Sequence, residues 1–305
     1  TYGPSADLLK SFICVDGNVW QNSDVEGSNE FKTSELFKSR DSRLEASFHI
    51  NPTPRNRGSF LYITKFLPRD VEARVAAGGA AGTPYTGANN TTDAPVLRYA
   101  EVLLNWIEAK AELATLGNPA VTQADIDRSI NQIRKRPLAA EAVARGVKQT
   151  AAMSLGTLPV DPERDVTVTP LIWEIRRERR MEMAFEYSRI EDLKRWSKLS
   201  YMDTDANPDL LAGGWVDFPQ QLPGEIKSGI SVVKLNGQVE VYNPEDPDSK
   251  AKMVGFYRYG LNRGRQQFLG LGNVNPYLSP IGRNQINEYA AQGYVLSQTE
   301  GWPQN

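Results

Sequence analysis

The residues with the greatest chemical potential crowd into one run, Glu174 to Arg195, where Arg176, Arg177, Arg179 and Arg180 stand among Glu174, Glu178, Glu182 and Glu186. Clustered arginines are the electrostatic footprint of a nucleic-acid binder. Here seven cations face six anions, so the surplus offers little affinity through counterion release, and nucleic acid is excluded as a partner. The spacing points to ion pairing. Glu174 and Arg177, Arg179 and Glu182, and Glu186 and Arg189 are three apart, and Glu191 and Arg195 four apart, so each pair falls on one helical face. Charge runs nearly all the way round this helix, and Trp173, Phe185 and Trp196 flank it. Some of the charge is therefore expected between helices, with Arg98, Glu101, Glu108 and Glu112 as partners.

Catalytic chemistry finds less support. Glycoside hydrolysis needs two carboxyl groups about 5–10 Å apart. With 37 acidic residues such a pair is available, but no spacing singles one out, so a secreted glycosidase stands only as an alternative. His49 is the single histidine, which rules out metal sites with two imidazoles, and its place in Ser-Phe-His-Ile reads as structural. Cys14, the single cysteine, reads as a small buried apolar residue. No nucleophile elbow, phosphate loop, HExxH or dinucleotide fingerprint is present. No catalytic residue or metal ligand is assigned and no cofactor is expected; whether a structural calcium ion orders the Asp- and Asn-rich loops is not given by the sequence.

Aromatic residues in polar settings are the remaining handle. Trp20 lies in Asp16-Gly-Asn-Val-Trp-Gln-Asn, Trp215 in Gly213-Gly-Trp-Val-Asp and Trp302 in Gly301-Trp-Pro, while Tyr85 is the one bulky side chain of the stretch 75–95. Aromatic faces suit the C–H faces of sugar rings, and neighbouring Asn, Asp and Gln can hydrogen-bond hydroxyls. Trp20, Tyr85 and Trp215 are accordingly the candidate ligand-binding residues. The plainer alternative is that each anchors its own loop. Trp106, Trp173 and Trp196 sit in helical patterns and read as packing groups.

Four segments must carry these side chains as helices. In Val96 to Leu116 the stripe is Val96, Ala100, Leu103, Ile107, Ala111 and Ala114. Thr122, with Asp125 three residues on, caps a second segment through Ile126, Ile130 and Ile133 that Pro137 ends, and the two are expected to pair antiparallel. Thr169-Pro170 opens a third toward Phe185, and Ile190, Leu193 and Trp196 mark a fourth. Residues 75–95 read as an exposed loop, and Val232 to Tyr242 as a β-hairpin with a type I′ turn at Asn236-Gly237. The fold class is mostly α, with helical hairpins, long irregular loops and a small β-hairpin. One α-rich unit is expected: 1–95 irregular and ligand-facing, 96–200 helical hairpins, 201–305 loop-rich. The net charge of −2 is balanced, no apolar run is long enough to span a bilayer, and Thr1-Tyr2-Gly3-Pro4 opens no export signal.

Leu97-Arg-Tyr-Ala-Glu-Val-Leu-Leu-Asn-Trp-Ile-Glu-Ala-Lys-Ala-Glu112 and Asn131-Gln-Ile-Arg-Lys-Arg136 resemble the SusD/RagB family of surface nutrient-binding lipoproteins of Bacteroidetes. So do the run Ile175 to Trp196, the segment Tyr277-Leu-Ser-Pro-Ile-Gly282 and the stretch Asn287 to Trp302. These motifs fall in the family's order and cover nearly the whole chain as its C-terminal portion. The resemblance implies a tetratricopeptide-like scaffold and a non-enzymatic protein that captures oligosaccharide, or in RagB-type members peptide, above a TonB-dependent SusC-like transporter in the outer membrane. The family's lipidated cysteine and first helical repeats have no counterpart before Thr1, so the membrane is expected to be reached only through a lipid outside this chain. Ser279-Pro-Ile-Gly-Arg departs from the family's usual Pro-Ile-Pro. The family's ligand residues vary with substrate, so none transfers by position. For a peptide ligand, Arg55 and Arg57 would meet charged termini.

Overall fold

The computed structural model describes residues 3–49, 51–52, 59–80, 82, 93, 95–258 and 274–303. The described residues of the stretch 1–95, irregular by sequence pattern, carry four short helices: α1 (Ala6–Ser11), α2 (Thr33–Ser39), α3 (Arg43–Ser47) and α4 (Arg69–Ala76). The helical middle follows with α5 (Tyr99–Thr115), α6 (Gln123–Asp127), α7 (Ile130–Arg134), α8 (Ala140–Ala144), α9 (Pro170–Glu182) and α10 (Arg189–Arg195). The last part holds β1 (Ala212–Asp217), α11 (Phe218–Gln221), β2 (Ser231–Val233), β3 (Val239–Val241), β4 (Val254–Arg258) and α12 (Arg283–Ala291). The chain is thus mostly helical with one small antiparallel sheet.

Helix α5 buries Ala100, Leu104, Ile107, Glu108 and Ala111, the expected stripe shifted by one residue at Leu104. Val96, expected at its head, is fully exposed. Arg98 is the reason: it sits in extended backbone as the N-cap, and its guanidinium is held by Glu182 and Glu186, so the helix starts after it. The second segment opens on the expected capping box between Thr122 and Asp125 but breaks in two at Ser129. There the serine hydroxyl donates to the Asp125 carbonyl at 2.7 Å, which competes with the helical ladder. Helix α5 packs on α7 and, more extensively, on α9, and these helices share a core of Leu104, Ile107, Ile126, Ile130, Ile133, Ile172 and Ile175.

Helix α9 begins as its sequence dictates: Thr169 accepts from the Ile172 amide, and Pro170 fills the first turn, where no N–H is needed. Thr169→Ala should cost about 1 kcal/mol by chemical denaturation; no change would mean the cap is idle. At the other end Lys65 donates to the carbonyls of Glu182 (2.7 Å) and Ala184 (2.9 Å), answering acceptors the helix leaves open. The chain then turns through Phe185 and Tyr187, both left-handed at φ 63°, which brings the Phe185 ring edge-on to Phe48.

A second core joins α1 to α3 with the sheet through Leu9, Phe12, Phe31, Leu36, Phe37, Leu44 and Phe256. Cys14 is buried, and Arg40, itself fully buried, donates to its sulfur. The His49 amide donates to the Tyr62 carbonyl beside the bridge Phe48↔Ile63. The expected hairpin forms, but as one edge of a four-stranded sheet in the order β1-β4-β2-β3. Its turn is not type I′. Only Gly237 has a positive φ (81°), and the bonds Gly237 N to Lys234 O and Lys234 N to Gln238 O give a three-residue loop with the glycine in the left-handed position. Of the stretch 75–95, Val75 and Ala76 close α4, Ala77 to Ala80 are exposed, and most of the rest, Tyr85 included, lies outside the described residues.

Candidate functional site

Helix α9 positions the charged groups. Glu174, Glu178 and Glu182 recur every four residues, and all three are buried. Glu178 receives Arg43 and Arg134 at 2.7 and 2.8 Å; Glu182 receives Arg98, Arg136 and Arg43 at 2.8, 2.5 and 3.3 Å. The network between helices is as expected, and Arg98, Glu101, Glu108 and Glu112 all take part. Of the pairs expected within the run, only Glu174–Arg177 forms, at 3.0 Å. Arg179 turns to Asp192, Glu186 to Arg98 and Lys65, and Arg195 to Glu108. The glutamates of α9 point into the protein, where long guanidinium forks from other segments reach them directly.

Burial pushes the Glu182 carboxyl up, but Arg43 and Arg136 outweigh it and hold the group below its ordinary 4.5. Glu186 is held low against burial by Arg98 and Lys65, and Asp41 against burial by Arg43. Glu174 goes the other way, because burial outweighs Arg177. Carboxyls held low contribute stability that is present above their unfolded values and lost as acid protonates them. The thermal midpoint should therefore be nearly flat from neutral pH to about 5 and fall steeply below about 4, a trend Glu174 only softens. A midpoint constant from about pH 7 to about pH 3 would contradict this.

The face of α9 next to the glutamates borders a cavity of about 290 Å³. Trp173, Arg176, Arg177 and Arg180, at helical spacings of three and four, form one wall; Asp7 and Lys10 of α1, Gln21, Asp161, Glu163, Asp165 and Tyr201 form the others. Most charges here are answered locally. Arg177 pairs with Asp161, Arg180 with Asp7, and Lys10 with Asp209. The Trp173 indole N–H donates to Asp161 at 2.7 Å, the Tyr201 hydroxyl to Asp165 at 2.6 Å and Gln21 to Glu163 at 3.0 Å. The rings of Trp173 and Tyr201 meet edge to face, 6.2 Å apart. Burial and the Asp161 charge push the Glu163 carboxyl up, while burial and the Arg180 charge bring Arg189 down to about 9. The walls offer ring faces, hydrogen-bond donors and acceptors. Among the described residues no group of three or more His, Cys, Asp or Glu is placed to hold a metal ion.

Trp20 lies in the short 3₁₀ turn Trp20–Asn22 between Val19 and Gln21, which both line the cavity, and its own ring packs edge-on against Phe31 at 5.4 Å. Trp215 lies in β1, edge-on to Phe256 at 5.1 Å. Since Phe31 and Phe256 also meet, at 5.0 Å, the two tryptophans end one row of four rings. Tyr85, Arg55 and Arg57 lie outside the described residues. Trp302 is tied by its indole N–H to the Leu278 carbonyl. Trp173 and Trp196 pack as expected, but Trp106 is 39 % exposed, beneath Lys110 and Arg128. Its position on the solvent side of α5, one residue before Ile107, explains the difference. Arg176 and Tyr201 escape the sequence reading as site residues; the spacing 173, 176, 177, 180 was the available signal.

Among the described residues no helix is long and apolar enough to cross a membrane. Among curated proteins, no relative matches the chain. Among solved structures, a SusD-like protein from Bacteroides fragilis is 22 % identical with a TM-score of 0.37, over 64 % of this chain and 36 % of that one. The matched part thus spans little more than a third of that protein's length. The sequence profile described as the SusD family matches residues 1–302. A match that runs through nearly the whole sequence, with the helical motifs in place, assigns it: the chain belongs to the SusD family.

Proposed function

We propose that the chain is the ligand-holding part of a non-enzymatic receptor that captures oligosaccharide at the outer-membrane surface and passes it to a SusC-like TonB-dependent transporter. The observation that carries this reading is the cavity against α9 in a member of this family, with Trp173 and Tyr201 as ring faces among hydrogen-bonding groups. Sugar recognition needs that combination: flat apolar surfaces for the C–H faces and oriented polar groups for the hydroxyls. The volume, about 290 Å³, lies just below the range for small-molecule sites, about 300–1,000 Å³, and suits one or two sugar rings. Trp20, Tyr85 and Trp215 are proposed as further ring contacts for a longer chain. Attachment to the outer membrane would be by a lipid.

Native mass measurement of the complex extracted from membranes tests the assembly. The expected species contains a TonB-dependent barrel bound to the receptor. Recovery of the receptor alone, under conditions that keep other outer-membrane complexes together, would contradict it.

A further inference from the structure

We infer that the cavity against α9 recognises an acidic sugar, a uronic acid within an oligosaccharide, with Arg176 and Arg189 receiving its carboxylate. This deepens the proposed function and rests on it.

The argument begins with the cations of the cavity. Lys10, Arg177 and Arg180 each have a carboxylate of their own. Arg176 gives one nitrogen, Nη2, to Glu112 at 3.0 Å and leaves Nε and Nη1 buried with no partner. Arg189 makes no hydrogen bond or ion pair with any described residue; its guanidinium lies 5.8 Å from the Trp196 ring and feels the charges of Asp7 and Asp192 without pairing with either. The Arg176 guanidinium lies over the same ring at 4.5 Å, so the indole holds both cations beside the cavity. A guanidinium stays charged under physiological conditions, and its N–H donors are matched best by a carboxylate or another oxyanion. Two such groups with open donors make a receiving site for one anionic group.

Other residues of the cavity supply the rest of the specificity. Gln21 Oε1 is also buried with no partner, although its amide nitrogen donates to Glu163. An open carbonyl beside a carboxyl calls for hydroxyl donors. Trp173 and Tyr201 add ring surface. A uronic acid presents a carboxylate, several hydroxyls and an apolar ring face in one unit. A neutral sugar lacks the first, and a peptide terminus lacks the hydroxyl array.

The test is calorimetric titration of the whole chain with a uronic-acid oligosaccharide and with its carboxyl-reduced neutral counterpart. The acidic form should bind on the order of tenfold more tightly, the scale of a charge-assisted hydrogen bond, and lose that advantage when salt is raised from about 50 to about 500 mM. Arg189→Gln and Arg176→Gln should each bring the ratio of the two affinities toward one, and Arg189→Lys should restore part of it. The thermal midpoint of Arg189→Gln should not fall, because the substitution breaks no hydrogen bond or ion pair with a described residue. Equal binding of both sugars, insensitive to salt, would overturn the carboxylate site and leave the glycan reading standing. Binding of neither sugar, with saturable binding of a peptide that is lost on amidating its C-terminus, would overturn the glycan reading itself.

Discussion

Glu182→Ala should destabilise the folded chain by about 3–5 kcal/mol, toward the lower end of that range. Glu182 is 3 % exposed and binds the guanidiniums of Arg43, Arg98 and Arg136 together. The three will not suffer equally. The Arg136 side chain is 46 % exposed and can turn to water, so its share is screened. Arg43 is buried, with Asp41 and Glu178 still beside it, and Arg98 keeps Glu186. The cost is therefore the loss of one carboxylate shared among partially compensated cations, not the stranding of a lone charge. Glu182→Gln keeps the shape and one acceptor and should fall between the wild type and the alanine variant. Urea denaturation measures all three; an unchanged midpoint for the alanine variant would show that the network carries no stability.

Gly213→Ala should cost about 1–3 kcal/mol, a large effect for one methyl group. A Cβ at this position would stand 2.6 Å from Ser59 Cα and 3.0 Å from the Ser59 carbonyl oxygen. Both are backbone atoms, so no side-chain rotation relieves the clash. The close approach is built in by the neighbouring hydrogen bond from the Gly214 amide to the Ser59 carbonyl, at 2.9 Å. Relief would require β1 to move away from the segment 59–61, carrying Trp215 and the end of the aromatic row with it. Gly224→Ala provides the comparison, since its added methyl would meet nothing within 4 Å and its φ is not positive. Equal thermal midpoints for the two variants would contradict the crossing of β1 and Ser59.

The contrast between these two sites explains what the sequence could reveal. Helices α5 and α9 were legible because their signals are local: an apolar stripe, a capping hydroxyl and a first-turn proline. Strands β1 and β4 were not. Gly213-Gly214 has poor strand propensity, and its justification lies in Ser59, far away along the chain. The ion network was legible as an expectation that charge lies between helices, and the cross-helix partners were the right ones. The pairs within the run were mostly wrong, because a rule for neighbours on one exposed helix cannot see the arginines that arrive from α3, α7 and the segment after it.

The cavity shows the same limit from the other side. Trp173, Arg176, Arg177 and Arg180 share a helical face that pattern alone reads as helix packing and ion pairing. Only the approach of α1 and of the turn that carries Tyr201 makes it the wall of a pocket. Trp20 and Trp215, selected because their loops are polar, are packed edge-on to phenylalanines in the row that joins α1–α3 to the sheet.

Titration of the full chain with a panel of oligosaccharides, followed by recovery and mass analysis of the bound sugar, addresses the receptor reading most directly. Saturable binding of at least one glycan is predicted, weakened by Trp173→Ala or Tyr201→Ala in variants that remain folded, with the sugar recovered at unchanged mass. A shortened sugar, or a panel in which no glycan binds, would contradict it.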